Sequence, residues 1–461
     1  MGLWRSGAAC GAVLLALTVS GCATFPRIDA AAEIARPGAV QVAGSRGPLS
    51  RHQAEAVLKK LQGRGEPPDI LARHIALEEA VSGRPLVTGN QVRLLEDGPA
   101  TYQAMTAAIR AAREHINLET YIFDDDEVGR KFADLLMAKQ AEGVQVNLIY
   151  DSVGALQTPK DFFQRLRDSG IRVLEFNPVN PLTARRGWKV NRRHHRKLLV
   201  ADGRVAFVGG INISDVYSGG SSAGHVREDG KSMNWRDTHA SIEGPAVSEF
   251  QRLFLDIWRK GGGEPLPDGN YFPDLKPAGE DVVRAVASEA DDPISPIYAT
   301  FVSAVESAEQ HIYITVAYFV PDPQSLKALQ QAAQRGVDVR IILPSHTDFW
   351  VVLHAGRSYY TELLESGVRL YERRGALLHS KTVLVDGVWS SVGSTNWDPR
   401  SFLHNNELNA VVLGRRFALQ MQSMFDKDLR NSDAVELEQW RRRPVLDRIK
   451  ESFARMWEYW L

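Results

Sequence analysis

Cysteine is nearly absent from this 461-residue sequence. Cys10 and Cys22 both lie within the first 22 residues, so the rest of the chain contains no thiol. This absence excludes structural disulfides and cysteine-ligated metals from the body of the protein. An excess of one charge is also absent, because 55 Lys and Arg face 56 Asp and Glu, a formal net charge of −1. This balance argues against a protein that coats nucleic acid over its whole surface, and it leaves room for a local basic groove.

The apolar run at the N-terminus is too short to span a bilayer. It covers residues 7–19 after Arg5, and therefore predicts a secretory signal. The following Ser20-Gly21-Cys22 resembles the lipobox of bacterial lipoproteins, in which the cysteine is diacylated through sulfur and becomes the new N-terminus. The resemblance implies a signal peptide over 1–21 and a lipid anchor on Cys22. Two other interpretations stay open: an ordinary signal with an incidental cysteine, and N-myristoylation, because residues 1–6 fit that pattern.

Length and composition predict a folded protein of two or three domains. Hydrophobic residues make up 44% of the chain, and domains average roughly 150 residues. Residues 22–87 predict a tether followed by an N-terminal helical segment, and the Gly- and Pro-rich stretch within 261–280 predicts a linker. The two main domains are therefore expected at 88–260 and 281–461.

An internal repeat relates these two domains. Three short segments recur with offsets of 196, 193 and 197 residues: 114–116 as 310–312, 143–146 as 336–339, and 169–173 as 366–370. Each copy shows helix and strand patterns in alternation. The predicted helices are 105–112, 131–141, 301–308 and 325–333, and the predicted strands are 116–123, 144–150, 312–320 and 337–343. The fold class is therefore α/β, with one α/β/α sandwich duplicated and the two copies packed against each other.

Each copy also contains the same constellation of polar residues. It begins at His195 in the first copy and at His379 in the second, with partners at +2, +7 and +17. These partners are Lys197, Asp202 and Asn212, and Lys381, Asp386 and Asn396. Strand periodicity places each histidine and its lysine on one side of the sheet. An Asp-Gly pair after each predicted strand indicates a tight hairpin turn, and turn formation alone would explain the two aspartates.

The doubled H-x-K-x₄-D pattern with its downstream asparagine resembles the phospholipase D superfamily. The likeness covers the chain from about residue 88 to the C-terminus. Segments 92–98, 118–123, 191–197 and 396–401 are similar to bacterial cardiolipin synthases. The sequence departs from those synthases in its lipobox and at Trp397, where leucine is expected.

The resemblance implies a catalytic role for the histidine, lysine and aspartate of both motifs. His195 would attack the phosphodiester to give a phosphohistidine, and His379 would protonate the leaving alkoxide, with the roles reversed in the second half-reaction. The charge of the transferring phosphoryl group would be stabilised by Lys197, Lys381, Asn212 and Asn396. Asp237 and Glu407 would each hold the second nitrogen of its histidine. No cofactor is expected, and the lysines disfavour a divalent metal.

Two further segments bear on the substrate. Residues 185–193 mix arginines with Trp188, a composition that suits anionic headgroups and equally a solvated basic loop. Near the C-terminus, after three arginines, an apolar stripe at helical spacing predicts an amphipathic helix: Leu446, Ile449, Phe453, Met456 and Trp460. Such a stripe is more often packed on the body of a protein than laid on a membrane.

The resemblance, together with these features, implies a phosphatidyltransferase that forms cardiolipin from two phosphatidylglycerol molecules. The alternatives are a hydrolytic phospholipase D, a nuclease of the same superfamily, and a non-catalytic lipid-binding scaffold. We expect a phospholipid substrate, attachment to a membrane through lipidated Cys22, and no nucleic-acid partner. The expected location is the bacterial cell envelope, where Ala23 after the cysteine favours the periplasmic face of the outer membrane over the inner membrane. The sequence leaves the acceptor alcohol and the oligomeric state open.

Overall fold

The computed structural model describes residue 28 and residues 40–62, 74–180, 189, 191–220, 234–290 and 292–458. The predicted signal peptide, Cys22 and most of the basic segment 185–193 lie outside these residues. The N-terminal segment contains strands β1 (Val42–Gly44) and β2 (Gly47–Pro48) and helices α1 (Arg51–Gln62) and α2 (Ile75–Ser82). It is tied to the second copy by Arg284, which donates to Glu78 at 2.9 Å and to Glu79 at 3.2 Å.

The first copy is a mixed sheet with helices on both faces. Its strands are β3 (Leu86–Glu96), β4 (His115–Thr120), β5 (Gln145–Asp151), β6 (Arg172–Phe176), β7 (Arg193–His194), β8 (Leu198–Ala201), β9 (Val205–Gly209), β10 (Trp235–Arg236) and β11 (Thr238–Glu243). Its helices are α3 (Asp97–Ala111), α4 (Glu127–Ala141), α5 (Lys160–Asp168) and α6 (Val247–Lys260). The main sheet runs β6-β5-β4-β8-β9-β11-β3, and β4, β5 and β6 are parallel.

The second copy repeats this order. Its strands are β12 (Asp281–Ser288), β13 (His311–Val316), β14 (Asp338–Pro344), β15 (Arg369–Arg373), β16 (Leu377–Leu378), β17 (Lys381–Val385), β18 (Trp389–Gly393), β19 (Asn405–Leu413) and β20 (Ser432–Ala434). Its helices are α7 (Pro296–Ser307), α8 (Pro323–Gln334), α9 (Trp350–Arg357), α10 (Tyr360–Glu365), α11 (Pro399–Leu403), α12 (Arg415–Arg430), α13 (Leu437–Arg441) and α14 (Val445–Arg455). The order β15-β14-β13-β17-β18-β19-β12 matches that of the first copy strand for strand.

Alternating side chains divide the core between the two faces of the sheet. Leu199 of β8 belongs to the cluster built with α3, α4 and α5. Its neighbours Leu198 and Val200 belong to the cluster built with α6 and α12. Successive strand residues point to opposite faces of the sheet. Because the apolar residues on both faces are buried, helices must cover both sides. The predicted sandwich is confirmed.

The two sheets join edge to edge into one continuous sheet. β3 pairs antiparallel with β12, and Asn90 stands opposite Asp281 and Val87 opposite Val283. Two short strands add a second junction, because β7 pairs with β19 and β10 pairs with β16, both in parallel. The predicted packing of the copies therefore includes backbone pairing as well as side-chain contact.

The predicted strands run a few residues too long at their carboxyl ends. We expected 116–123 and 312–320, whereas β4 ends at Thr120 and β13 ends at Val316. In the first copy the chain leaves the ladder where the N–H of Ile122 donates to Oδ1 of Asn212 at 3.1 Å. In the part of the chain that the structure describes, no helix has the length and apolarity needed to cross a bilayer.

Candidate active site

A cavity of about 520 Å³ opens where the two copies meet, at the carboxyl ends of β4 and β13. Both motif histidines and both motif asparagines line it: His195, Asn212, His379 and Asn396. The repeat therefore builds one centre from two halves, and each half supplies one histidine.

Each histidine is positioned by the backbone of the other copy. The N–H of His195, which follows β7, donates to the carbonyl oxygen of Asn406 at 3.0 Å. The N–H of His379, which follows β16, donates to the carbonyl oxygen of Arg236 at 2.7 Å. Neither half of the chain can place its histidine in this way without the other half.

The histidine side chains pair crosswise with the predicted carboxylates. Nδ1–H of His195 donates to Oε1 of Glu407 at 2.9 Å and to Oε2 at 3.1 Å. Nδ1–H of His379 donates to Oδ2 of Asp237 at 2.7 Å. Each carboxylate belongs to the copy opposite its histidine, and both carboxylates are fully buried. Since Nδ1 is occupied in both rings, Nε2 is the nitrogen left for a substrate.

Further hydrogen bonds hold the two carboxylates in place. Glu407 accepts hydrogen bonds from the Ser394 hydroxyl and, at 3.2 Å, from the Asn405 amide. Burial favours the neutral acid, but His195, Lys197 and Ser394 together keep the pKa of Glu407 below its ordinary value. Asp237 differs, because burial raises its pKa to about 6 against the opposing charge of Lys381. Glu407 is therefore the more firmly ionised of the two carboxylates.

The two motif lysines lie beneath the histidines. Nζ of Lys197 donates to the carbonyl oxygen of His195 at 2.5 Å, and Nζ of Lys381 donates to the carbonyl oxygen of His379. Both side chains are buried and neither lines the cavity, in contrast to Asn212 and Asn396. The lysines therefore act on the site as buried charges behind the residues that line the cavity.

Burial and these cations keep the imidazoles neutral. Burial lowers the pKa of His195 to about 4, although Glu407 opposes the shift. Burial also lowers the pKa of His379 well below its ordinary value, and Lys381 and Lys197 lower it further. The lysines are affected in the same way, since burial lowers the pKa of Lys197 to about 7 and that of Lys381 to about 8. An anion in the cavity would favour the charged form of all four groups.

The structure contradicts a catalytic role for Asp202 and Asp386. Asp202 accepts the backbone N–H groups of residues 113, 114 and 115 at 2.8, 2.8 and 3.0 Å. Asp386 accepts those of residues 309, 310 and 311 at 2.9, 2.8 and 2.9 Å. Each aspartate lies at the end of β8 or β17 far from its histidine, and neither lines the cavity. Their carboxylates instead tie a hairpin to the start of β4 or β13.

The predicted hairpin turns are confirmed at these aspartates. Asp202 and Gly203 have φ values of 53° and 62°, and Asp386 and Gly387 have 51° and 62°. A turn with positive φ at both central residues favours Asp-Gly, because aspartate tolerates this conformation and glycine adopts it freely.

Several residues of the cavity were not predicted as site residues. The ring of Tyr121 lies 5.0 Å from that of His195, and the ring of Trp235 lies 4.8 Å from that of His379. Arg193 and Arg400 bring two cations to the cavity wall. Both arginines lie inside segments that carry the family resemblance, 191–197 and 396–401, so the motifs themselves offered a signal for them.

Comparison with known proteins gives consistent matches. The sequence matches the family described as cardiolipin synthase, PLD-like domain, over residues 105–218 and 301–429. A cardiolipin synthase of Alkalihalophilus pseudofirmus is 36% identical over 409 residues, which are 88% of this chain and 78% of that protein. Cardiolipin synthase A of Pseudomonas putida is 36% identical over 376 residues, which are 81% of this chain and 75% of that protein.

A solved structure shows the same architecture. The crystal structure of phosphatidylserine synthase from Haemophilus influenzae superposes with a TM-score of 0.60 at 15% identity, and covers 83% of this chain and 99% of that one. This likeness concerns the fold alone. The family match and the sequence relatives confirm the resemblance found in the motifs: the chain belongs to the cardiolipin synthase family with phospholipase D-like domains.

Proposed function

We propose that this protein is a cardiolipin synthase. It transfers a phosphatidyl group from one phosphatidylglycerol to a hydroxyl of another and releases glycerol. The observation that carries this conclusion is the single cavity in which His195 and His379 are each held at Nδ1 by a buried carboxylate of the opposite copy. Its sequence relatives are cardiolipin synthases over most of the chain.

In the first half-reaction, Nε2 of His195 attacks phosphorus and the bond to the glycerol oxygen breaks. That oxygen takes a proton from Nε2 of His379 as it leaves. In the second half-reaction, a hydroxyl of the incoming phosphatidylglycerol gives its proton to His379 and attacks phosphorus, which frees His195. We assign the attack to His195 because its partner Glu407 is the more firmly ionised carboxylate. An anionic acceptor at Nδ1–H raises the basicity of the other ring nitrogen.

The substrate supplies the charge that the general acid requires. In the free protein, burial and two lysines hold the pKa of His379 well below its ordinary value. A phosphodiester anion in the cavity opposes those lysines, so a proton on His379 becomes favourable when substrate binds. Asn212, Asn396, Arg193 and Arg400 line the same cavity and are placed to donate to the phosphoryl oxygens.

The reaction is tested by incubating the purified protein with vesicles of phosphatidylglycerol and analysing the products by mass spectrometry. We expect cardiolipin and free glycerol in equal amounts, and no product from His195→Ala. Phosphatidic acid in place of cardiolipin would show that water is the acceptor and would make the protein a hydrolytic phospholipase D. Unchanged lipid would favour the scaffold interpretation.

We also propose that Cys22 carries a lipid anchor and that the protein faces the periplasm from the outer membrane. The support is the apolar run 7–19, the Ser20-Gly21-Cys22 that follows it, and Ala23. Cys22→Ser should abolish acylation and leave unprocessed precursor in cells labelled with a radioactive fatty acid. Cys10→Ser is the matched control and should keep the label. Equal labelling of wild type and Cys22→Ser would refute the anchor.

A further inference from the structure

The C-terminal helix α14 lies on the protein with its apolar side outward. Its buried residues are Glu451 and Ala454, which are 3% and 0% exposed. An exposed apolar face is formed by Val445, Leu446, Ile449, Phe453, Met456 and Trp457, which are 48% to 70% exposed. The expectation that the stripe packs on the body is wrong for the four of its residues that the structure describes. Trp460 lies outside the described residues.

Specific contacts hold the helix in this orientation. Arg443 pairs with the buried Glu451 at 2.7 Å, and the guanidinium of Arg455 lies 4.4 Å from the centre of the Tyr359 ring. Residues 451 and 454 lie on one side, whereas residues 446, 449 and 453 follow the three- and four-residue spacing of another side. Within the part of the chain that the structure describes, this apolar face is therefore directed outward and left uncovered.

The helix on which α14 packs begins next to the cavity. α14 packs against α9 (Trp350–Arg357), and Phe349, immediately before α9, lines the cavity. Phe349 and Trp350 are 47% and 51% exposed. In the first copy, Leu156 is exposed in the loop after the parallel strand β5, at the corresponding edge of the sheet. Exposed apolar side chains of both copies thus lie at the edge of the sheet where the cavity opens.

Two exposed arginines accompany this helix. Arg442 precedes α14 and Arg448 lies within it, and both are exposed. Among the residues that the structure describes, neither forms an ion pair. An apolar face bordered by arginines matches the boundary of an anionic bilayer, where acyl chains meet charged headgroups.

We propose that this apolar face docks on the surface of an anionic phospholipid bilayer and turns the cavity toward it. The inference rests on the proposed function, because a phospholipid headgroup reaching the cavity would leave its acyl chains at the rim that carries Phe349 and Trp350. A second copy of this chain is the competing occupant. The bilayer is favoured because exposed arginines accompany the face, and because α14 packs on the helix that directly follows the cavity residue Phe349.

The test places one fluorophore at a time on the full chain. Cys10 and Cys22 are replaced by serine, so that an introduced cysteine is the only thiol, and nitrobenzoxadiazole is attached at Leu446→Cys or at Leu419→Cys. Leu419 is a matched control because it is 69% exposed, against 62% for Leu446. Leu419 lies near the start of α12. This helix follows the carboxyl end of β19, whereas the amino end of β19 lies at the cavity.

With phosphatidylglycerol vesicles, we expect the emission at position 446 to rise several-fold and to shift to shorter wavelength, while position 419 does not change. Phosphatidylcholine vesicles should give a weaker response, because Arg442 and Arg448 gain no anionic partner. An unchanged signal at 446 would overturn the proposal. So would equal responses at both positions, or a response at 446 that needs protein concentration and no vesicles, which would identify a second copy as the occupant.

A kinetic comparison separates docking from chemistry. The double variant Ile449→Ser, Phe453→Ser should lower turnover on vesicles, relative to turnover on dissolved short-chain phosphatidylglycerol, by at least about tenfold, because it removes two apolar side chains that the bilayer would bury. Leu419→Ser should leave this ratio unchanged, and an unchanged ratio in the double variant would contradict the proposal. The fluorescence assay requires no turnover. The docking proposal can therefore fail while the proposed cardiolipin synthesis is upheld, and the proposed synthesis can fail while docking is upheld.

Discussion

At the scale of single residues, the site depends on charges that the protein buries. Lys197 and Lys381 donate to the carbonyl oxygens of the histidines they accompany, and both are fully surrounded by protein. Burial of an ammonium group costs free energy, so their pKa values fall to about 7 and about 8. Their charge is therefore lost close to neutral pH, far below the range of an ordinary lysine.

This burial predicts an alkaline loss of activity. As pH rises through 7 and 8, the lysines lose the charge that stabilises the phosphoryl group in the proposed mechanism, and protonation of His379 also becomes rarer. Both effects lower kcat/KM, which we expect to fall at least about tenfold between pH 7 and pH 9. The measurement is kcat/KM on dissolved short-chain phosphatidylglycerol, and a flat profile over that interval would contradict the assignment.

Unfolding would not explain that loss. The folded pKa of Lys197 lies below its unfolded value, so the unfolded chain binds more protons between the two values. The contribution of this lysine to stability therefore increases as pH rises from about 7 toward its ordinary pKa near 10.5. Thermal unfolding recorded at pH 7 and pH 9 provides the control.

The sequence predicts the reactive residues better than their partners. The positions of His195, His379, Asn212 and Asn396 stand out because their spacing repeats in both copies, and the family resemblance implies their roles. The sequence does not reveal the pairing of His195 with Glu407 of the other copy. These two residues are 212 positions apart, and only the contact between the copies brings them together. The same spacing also suggests a chemical role for Asp202 that the folded strand excludes.

At the scale of elements, the Asp-Gly hairpins attach the motif strands to the strand beside them. Asp386 accepts three successive backbone N–H groups at the start of β13. Asp202 does the same for β4. A carboxylate that accepts several such bonds is a structural tie, and its loss leaves donors without partners.

Asp386→Ala should therefore destabilise the fold and leave the chemistry intact. Loss of these charge-assisted bonds is expected to cost about 2 kcal/mol, which lowers the Tm by about 2 °C for a chain of this length. Asp386→Asn retains one acceptor oxygen and should cost less. Differential scanning calorimetry with kcat measured well below the Tm checks both, and a large fall in kcat at unchanged Tm would restore a catalytic role for this aspartate.

The periodicity of apolar residues predicts which helices and strands form. It does not predict where a strand ends or which face of a helix is buried. Strands β4 and β13 end at Thr120 and Val316, ahead of the apolar residues that continue the pattern, because the chain turns there to form the cavity wall. The stripe on α14 follows a helical period as predicted. Its outward direction depends on the Arg443–Glu451 pair and on Tyr359, which no local pattern reveals.

At the scale of the whole molecule, duplication produced one site and not two. The repeat predicts two α/β/α copies in contact, and the structure shows that the contact is a shared sheet through β3 and β12. The strand pairs β7–β19 and β10–β16 place each histidine next to the carboxylate of the other copy. Two independent sites would need each copy to contain its own pair, and neither copy does.

The most direct test of this account is the rate of cardiolipin formation by His195→Ala and by His379→Ala. Each variant is measured separately, after thermal unfolding has shown that its Tm equals that of the wild type. Because both histidines serve one centre, each substitution should lower the rate by at least about 10³-fold. If the copies were independent, each variant would keep about half of the wild-type rate, and that result would contradict a single active centre.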